Sequence, residues 1–96
     1  MNSSEILEIL RQYKNKNSEK YGIKNLGLFG SFAKNTSKDD SDVDIVIETR
    51  EPDIFQLVHI KEELELLLNR SVDLVRYRKT MNPYLKKHIE KDAQYV

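Results

Sequence analysis

Apolar residues recur along the chain in two periods, and the switches between them mark out the elements. In residues 2–16, Ile6, Ile9, Leu10 and Tyr13 fall at helical spacing, and Asn2 with Glu5 has the form of a capping box. That pattern predicts an amphipathic helix, with the polar stretch 15–22 as a connector. IKNLGLF, residues 23–29, then reads as a short strand with Leu26 and Leu28 on one face. Gly30-Ser31 breaks it, Phe32 to Lys34 can open a short helix, and Asn35 to Ser41 reads as an exposed polar loop. DVDIVIE, residues 42–48, alternates: Val43, Ile45 and Ile47 face one way, Asp42 and Asp44 the other. A second helix starts near Pro52 and carries Leu57, Val58, Leu64, Leu67 and Leu68 as its apolar stripe. SVDLVRY, residues 71–77, predicts a third strand with Asp73 opposite Val72 and Leu74, and Asn82-Pro83 begins a last helix through Leu85 and Ile89. No repeat or linker divides the chain, so residues 1–96 read as a single domain. The expected class is α/β (α+β), a small mixed sheet of three to four strands with helices covering one face.

The alternation raises a physical question at GLFGSFAKNTSKDDSDVDIVIE, residues 27–48, where aspartates interrupt an otherwise apolar strand. A carboxylate in a half-buried strand costs folding energy unless something neutralises it. If helices cover the Val/Ile/Leu face, then Asp42, Asp44 and Asp73 all emerge on the opposite, open one. Residues two apart in a strand lie about 6.5–7 Å apart, and a neighbouring strand brings another side chain within about 5 Å. Carboxylates so close repel, and a divalent cation between them is the expected remedy.

Composition narrows what that cation is. The chain has no cysteine and two histidines, His59 and His88, far apart in sequence and without ligand-like spacing. A disulfide framework and a thiolate zinc site are excluded, and carboxylate oxygens favour a hard cation such as Mg²⁺. Sixteen basic and sixteen acidic residues balance, which argues against a long nucleic acid gripped by its backbone and for a small molecule or a protein as partner. No apolar run is long enough to span a bilayer and the N-terminus has no signal pattern, so a cytoplasmic location is expected.

Taken singly, the motifs are weak. An Asp-rich turn followed by a solvated edge strand accounts for a lone D-x-D, and Gly30 could serve only to supply a positive φ. Asp40, Asp42, Asp44 and Glu51 match four positions of a calcium loop, but Ile45 stands where the sharp turn wants glycine, and no helix leads in. The G-x-x-x-x-G from Gly22 to Gly27 is followed by Leu28 rather than lysine, so it is no P-loop.

Taken jointly they are specific. Gly30-Ser31, ten intervening residues, Asp42-x-Asp44 and an isolated Asp73 in a later strand resemble the signature of the DNA polymerase β nucleotidyltransferase superfamily. "LFGSFAK…SDVDIVI…VDLV" and the chain's size resemble its minimal nucleotidyltransferase (MNT) members, over most of the chain from about Leu26 onward. Relatives often carry arginine where Phe32 and Lys34 stand and glycine where Asn35 stands, leaving Lys34 as a point charge in place of a bidentate guanidinium. The resemblance implies a nucleotidyltransferase fold and an Mg²⁺-dependent transfer of AMP from ATP to a hydroxyl group. Asp42 and Asp44 would bridge two Mg²⁺ ions, Asp73 would complete one site and accept the acceptor's proton, and Gly30, Ser31 and Lys34 would take the nucleotide. It also implies a HEPN-type toxin partner, encoded nearby and modified on a tyrosine or similar hydroxyl, with this chain as antitoxin. A small-molecule transferase resembling the aminoglycoside adenylyltransferases, and a non-catalytic binding subunit, remain the alternatives.

Overall fold

The computed structural model describes residues 1–33 and 42–96, apart from the Ser31 side chain. The elements are α1 (Ser3–Tyr21), β1 (Ile23–Phe29), α2 (Gly30–Ala33), β2 (Val43–Thr49), α3 (Ile54–Leu68), β3 (Val72–Arg76), α4 (Pro83–Asp92) and β4 (Gln94–Tyr95). The strands form one mixed sheet in the order β3-β2-β1-β4. β1 is antiparallel to β2 and β4, while β2 and β3 run parallel, joined through α3. This is the expected α+β class.

α1 begins at the expected capping box: Asn2 accepts from the Glu5 N–H, and the Glu5 carboxylate accepts from the Asn2 N–H. It runs further than the sequence pattern suggested. Residues 15–21 are helix rather than connector, because Tyr13, Asn17 and Tyr21 continue the buried face at four-residue spacing. Asn17 fits there by donating its amide to the Tyr13 carbonyl at 3.0 Å, which removes the cost of burying a polar side chain. Gly22, at φ 64°, ends the helix in the left-handed conformation.

α1 and α3 pack on the sheet face carrying Leu26, Leu28, Val43, Ile45, Ile47 and Val72. α3 buries Ile60, Leu64 and Leu68, whereas Val58 and Leu67, expected in its stripe, are exposed. Leu57-Val58 and Leu66-Leu67-Leu68 place apolar side chains on more than one face, so periodicity alone could not choose the buried one. The opposite sheet face is also not wholly open. α4 and the turn before it cover part of it, packing Ile89 and Met81 against Phe29 and Val46. The aspartates occupy the uncovered end of that face.

Between α1 and α3, the hydroxyls of Tyr13 and Tyr21 both donate to Glu63 Oε1 at 2.9 Å. Burial pushes the Glu63 carboxyl up, but the hydrogen bonds from Tyr21 and Tyr13, with the charges of His59 and Lys20, outweigh it and hold it below the usual value. A depressed folded pKa contributes stability that is complete above the unfolded glutamate value and lost as pH falls through the folded value. Glu63→Gln should therefore flatten the acid limb of stability, with urea midpoints falling less between about pH 6 and pH 2.5 than in the parent.

Candidate functional site

Asp44 sits inside the sheet, with Phe29 of β1 as its register partner on one side and Asp73 of β3 on the other. Adjacent strands lie about 4.8 Å apart, so register alone brings the two carboxylates together. Asp42 stands just ahead of β2, exposed, two residues from Asp44 and on the same side of the strand. Asp73 is exposed on the edge strand, while Asp44, flanked on both sides, is half-buried. Burial first, then the charges of Asp73 and Asp42, raise the Asp44 pKa above the ordinary carboxylate range. The three residues singled out from the sequence thus meet at one place, and the middle one carries an unrelieved electrostatic cost.

The chain turns directly over this group. β1 ends at Phe29 and Gly30 adopts φ 75°, which opens α2. A Cβ on Gly30 would lie 2.1 Å from Asp44 Oδ2 and 2.9 Å from its Cγ. Glycine is therefore required twice, for the left-handed turn and for the seat of the Asp44 carboxylate. α2 is held by buried Phe32 and by Gln94, whose amide donates to the Ala33 carbonyl at 3.0 Å. The C-terminal strand β4 thereby braces the turn, a role that the two-residue strand did not announce in the sequence. The backbone of Ser31 belongs to α2, whereas its side chain and the whole of Lys34 lie outside the described residues.

The sequence reading missed Arg70. Its guanidinium carbon lies 5.2 Å from the centroid of the Phe32 ring, a cation–π arrangement that sets a fixed positive charge beside α2.

The donor chemistry fits magnesium. The three side chains offer oxygen alone, and a hard divalent cation would offset both the burial and the neighbouring charges that raise the Asp44 pKa. Among the described residues, no three His, Cys, Asp or Glu side chains form a ready-made metal cage. The carboxylates are neighbours in register rather than a closed ligand set. The calcium-loop reading fails on geometry, because residues 43–49 are strand and Thr49, whose hydroxyl donates to the Glu51 carbonyl at 2.8 Å, lies at the far end of β2 from Asp42.

Comparison with known proteins agrees with this arrangement. The profile of the nucleotidyltransferase domain family matches residues 10–96. A candidate protein adenylyltransferase of Methanocaldococcus jannaschii is 43% identical over 94 residues, covering 97% of this chain and 96% of that protein. The structure of a minimal nucleotidyltransferase superposes with a TM-score of 0.80 at 26% identity, covering 100% of this chain and 97% of the other. A chain in the complex of a tri-AMPylated Shewanella oneidensis HEPN toxin with its MNT antitoxin superposes with a TM-score of 0.62 at 20% identity, over 98% of this chain and 68% of its own length, and shares the fold. By its match over most of its length, and by the glycine turn and paired aspartates that the fold brings together, the chain belongs to the nucleotidyltransferase domain family.

Proposed function

We propose that residues 1–96 act as one minimal nucleotidyltransferase domain that moves AMP from ATP to a tyrosine hydroxyl of a HEPN-type toxin partner encoded nearby, and so serve as its antitoxin. The observation that carries the reading is the register of Asp44 with Asp73, beneath a glycine turn that only a residue without Cβ can make. The complex of AMPylated HEPN toxin and MNT antitoxin, which shares the fold, supports the choice of nucleotide and partner. So do exposed Ile54, Phe55 and Leu66 on α3, which give a protein partner apolar surface to cover. Mg²⁺, two ions during turnover, would be held by Asp42, Asp44 and Asp73 and would supply neutralisation of the phosphate charge and a lower pKa for the acceptor hydroxyl.

The remaining work falls to the chain's own groups. Gly30 lets the backbone approach the triphosphate closely, and Ser31 and Lys34 bind and orient it. The acceptor oxygen attacks the α-phosphorus in line, forming the new P–O bond as the bond to the bridging oxygen breaks and pyrophosphate leaves. Asp73, exposed on the edge strand, receives the hydroxyl proton. The reaction demands ATP and a protein acceptor, and among the described residues no helix is long and apolar enough to cross a membrane, so we place it in the cytoplasm, with no long nucleic acid as substrate.

Asp73→Asn separates the roles. Titrated with ATP and Mg²⁺, the variant should bind nucleotide within a few-fold of the parent while its transfer rate falls on the order of a hundredfold or more, the scale of a lost general base. Loss of ATP affinity as large as that in Asp44→Asn would show that Asp73 holds the triphosphate side instead.

A further inference from the structure

β3 is the outer strand of the sheet, and its free edge is built to accept another strand. In the parallel ladder with β2, the Ser71 carbonyl accepts from Val43 and the Tyr77 N–H donates to Ile47. Odd-numbered residues of β3 therefore point their backbone groups at β2, and Val72, Leu74 and Arg76 point theirs outward. At Val72 the outward N–H is already taken, donating to Glu65 Oε2 at 2.9 Å. Leu74 and Arg76 are left with outward N–H and C=O groups that pair with nothing among the described residues, an open stretch beginning one residue after Asp73.

A groove of about 580 Å³ runs along the same stretch and has a wall on each face of the sheet. Ile54 and Leu57 of α3 stand with Leu74 on one side; Met81 and Leu85 stand with Val75 on the other. An extended segment laid against β3 projects alternate side chains to opposite faces, and the groove offers apolar contact to both sets. Arg76 and Arg78, against the single carboxylate of Asp53, leave the end away from Asp73 net basic. A second copy of this chain would bring its own α3 and α4 against these walls, whereas a single strand needs no such room.

Resting on the function proposed above, we infer that the hydroxyl-bearing segment of the acceptor protein binds by strand addition to β3 at Leu74–Arg76. A residue paired across from Asp73 or Val75 then projects onto the carboxylate face, which delivers its hydroxyl to Asp73. The segment has the chemistry of an extended, alternately apolar peptide with a central tyrosine and an acidic residue near Arg76 and Arg78.

The test uses ¹⁵N-labelled protein and a pool of synthetic decapeptides of that pattern, read by amide exchange and, separately, by label transfer from α-³²P-ATP. Exchange at the Leu74 and Arg76 amides should slow on peptide addition. Arg76→Pro deletes one outward N–H together with the guanidinium and keeps the ladder to β2, so it is read against Arg76→Ala, relative to which it should weaken peptide binding about tenfold, the scale of one hydrogen bond. Ile54→Asp, which charges one wall at an exposed position, should weaken it as well, with ATP binding unchanged in both variants. Protection elsewhere, or no binding by any peptide, overturns strand addition. Protection at Leu74 and Arg76 without label transfer supports the docking edge and counts against the transfer reaction, so the two failures are distinct.

Discussion

Asp44→Asn is expected to lower nucleotidyl transfer on the order of a thousandfold or more while leaving the protein as stable as the parent or more so. The two effects have one origin. Asp44 lies between buried Phe29 and the carboxylate of Asp73, with Asp42 two residues away, and its ionised form is disfavoured by burial and by both neighbouring charges. Asparagine has nearly the same shape without the charge, so the cost disappears together with a shared metal ligand. The sign with pH follows. A carboxyl whose folded pKa is raised favours folding when protonated, and that contribution fades as pH rises through the folded value. Without added metal, the melting advantage of Asp44→Asn should thus be absent at acid pH and grow toward neutrality. Melts across that range, run beside transfer assays, check both halves; a variant that keeps its activity would remove Asp44 from the metal site.

Gly30→Ala is expected to damage stability and activity together, which distinguishes it from Asp44→Asn. Alanine at φ 75° costs about 1–2 kcal/mol from backbone sterics alone. Its Cβ would also arrive 2.1 Å from Asp44 Oδ2, so the carboxylate or the turn must move. Displacement of a reacting group by about 1 Å can cost a hundredfold in rate, and a loss of that order is expected here. Combining Gly30→Ala with Asp44→Ala removes the oxygen from the collision but not the strained φ. The double variant should therefore melt above the sum of the single effects and below Asp44→Ala alone. Strict additivity would mean that the two residues do not touch.

Much of this site was legible in the sequence because its geometry rests on period-two alternation. Once Val43, Ile45 and Ile47 were assigned inward, Asp42 and Asp44 had to share the other face, and the same logic placed Asp73. Two adjacent strands of like pattern leave few other arrangements. What the sequence did not show depends on contacts between distant segments. The last turns of α1 were hidden because Asn17 is polar by type, and its burial becomes affordable only through its bond to the Tyr13 carbonyl. The covering of Phe29 and Val46 by α4, and the bracing of α2 by Gln94, join residues separated by tens of positions and leave no local period. The stripe of α3 was legible only in part, at Leu57, Leu64 and Leu68, for the opposite reason: its apolar residues were too many to single out a face.

If the carboxylates of β2 and β3 transfer AMP to a protein hydroxyl, the adenylate must be found on the partner. The deciding measurement is the intact mass of the protein encoded beside this one, co-expressed with the parent chain and, in parallel, with Asp44→Asn. One or more added adenylate masses are expected on that partner with the parent chain and none with the variant. An unmodified partner in both preparations, with adenylate instead appearing on a small hydroxylated compound, would contradict transfer to protein and assign the same carboxylates to a small-molecule transferase.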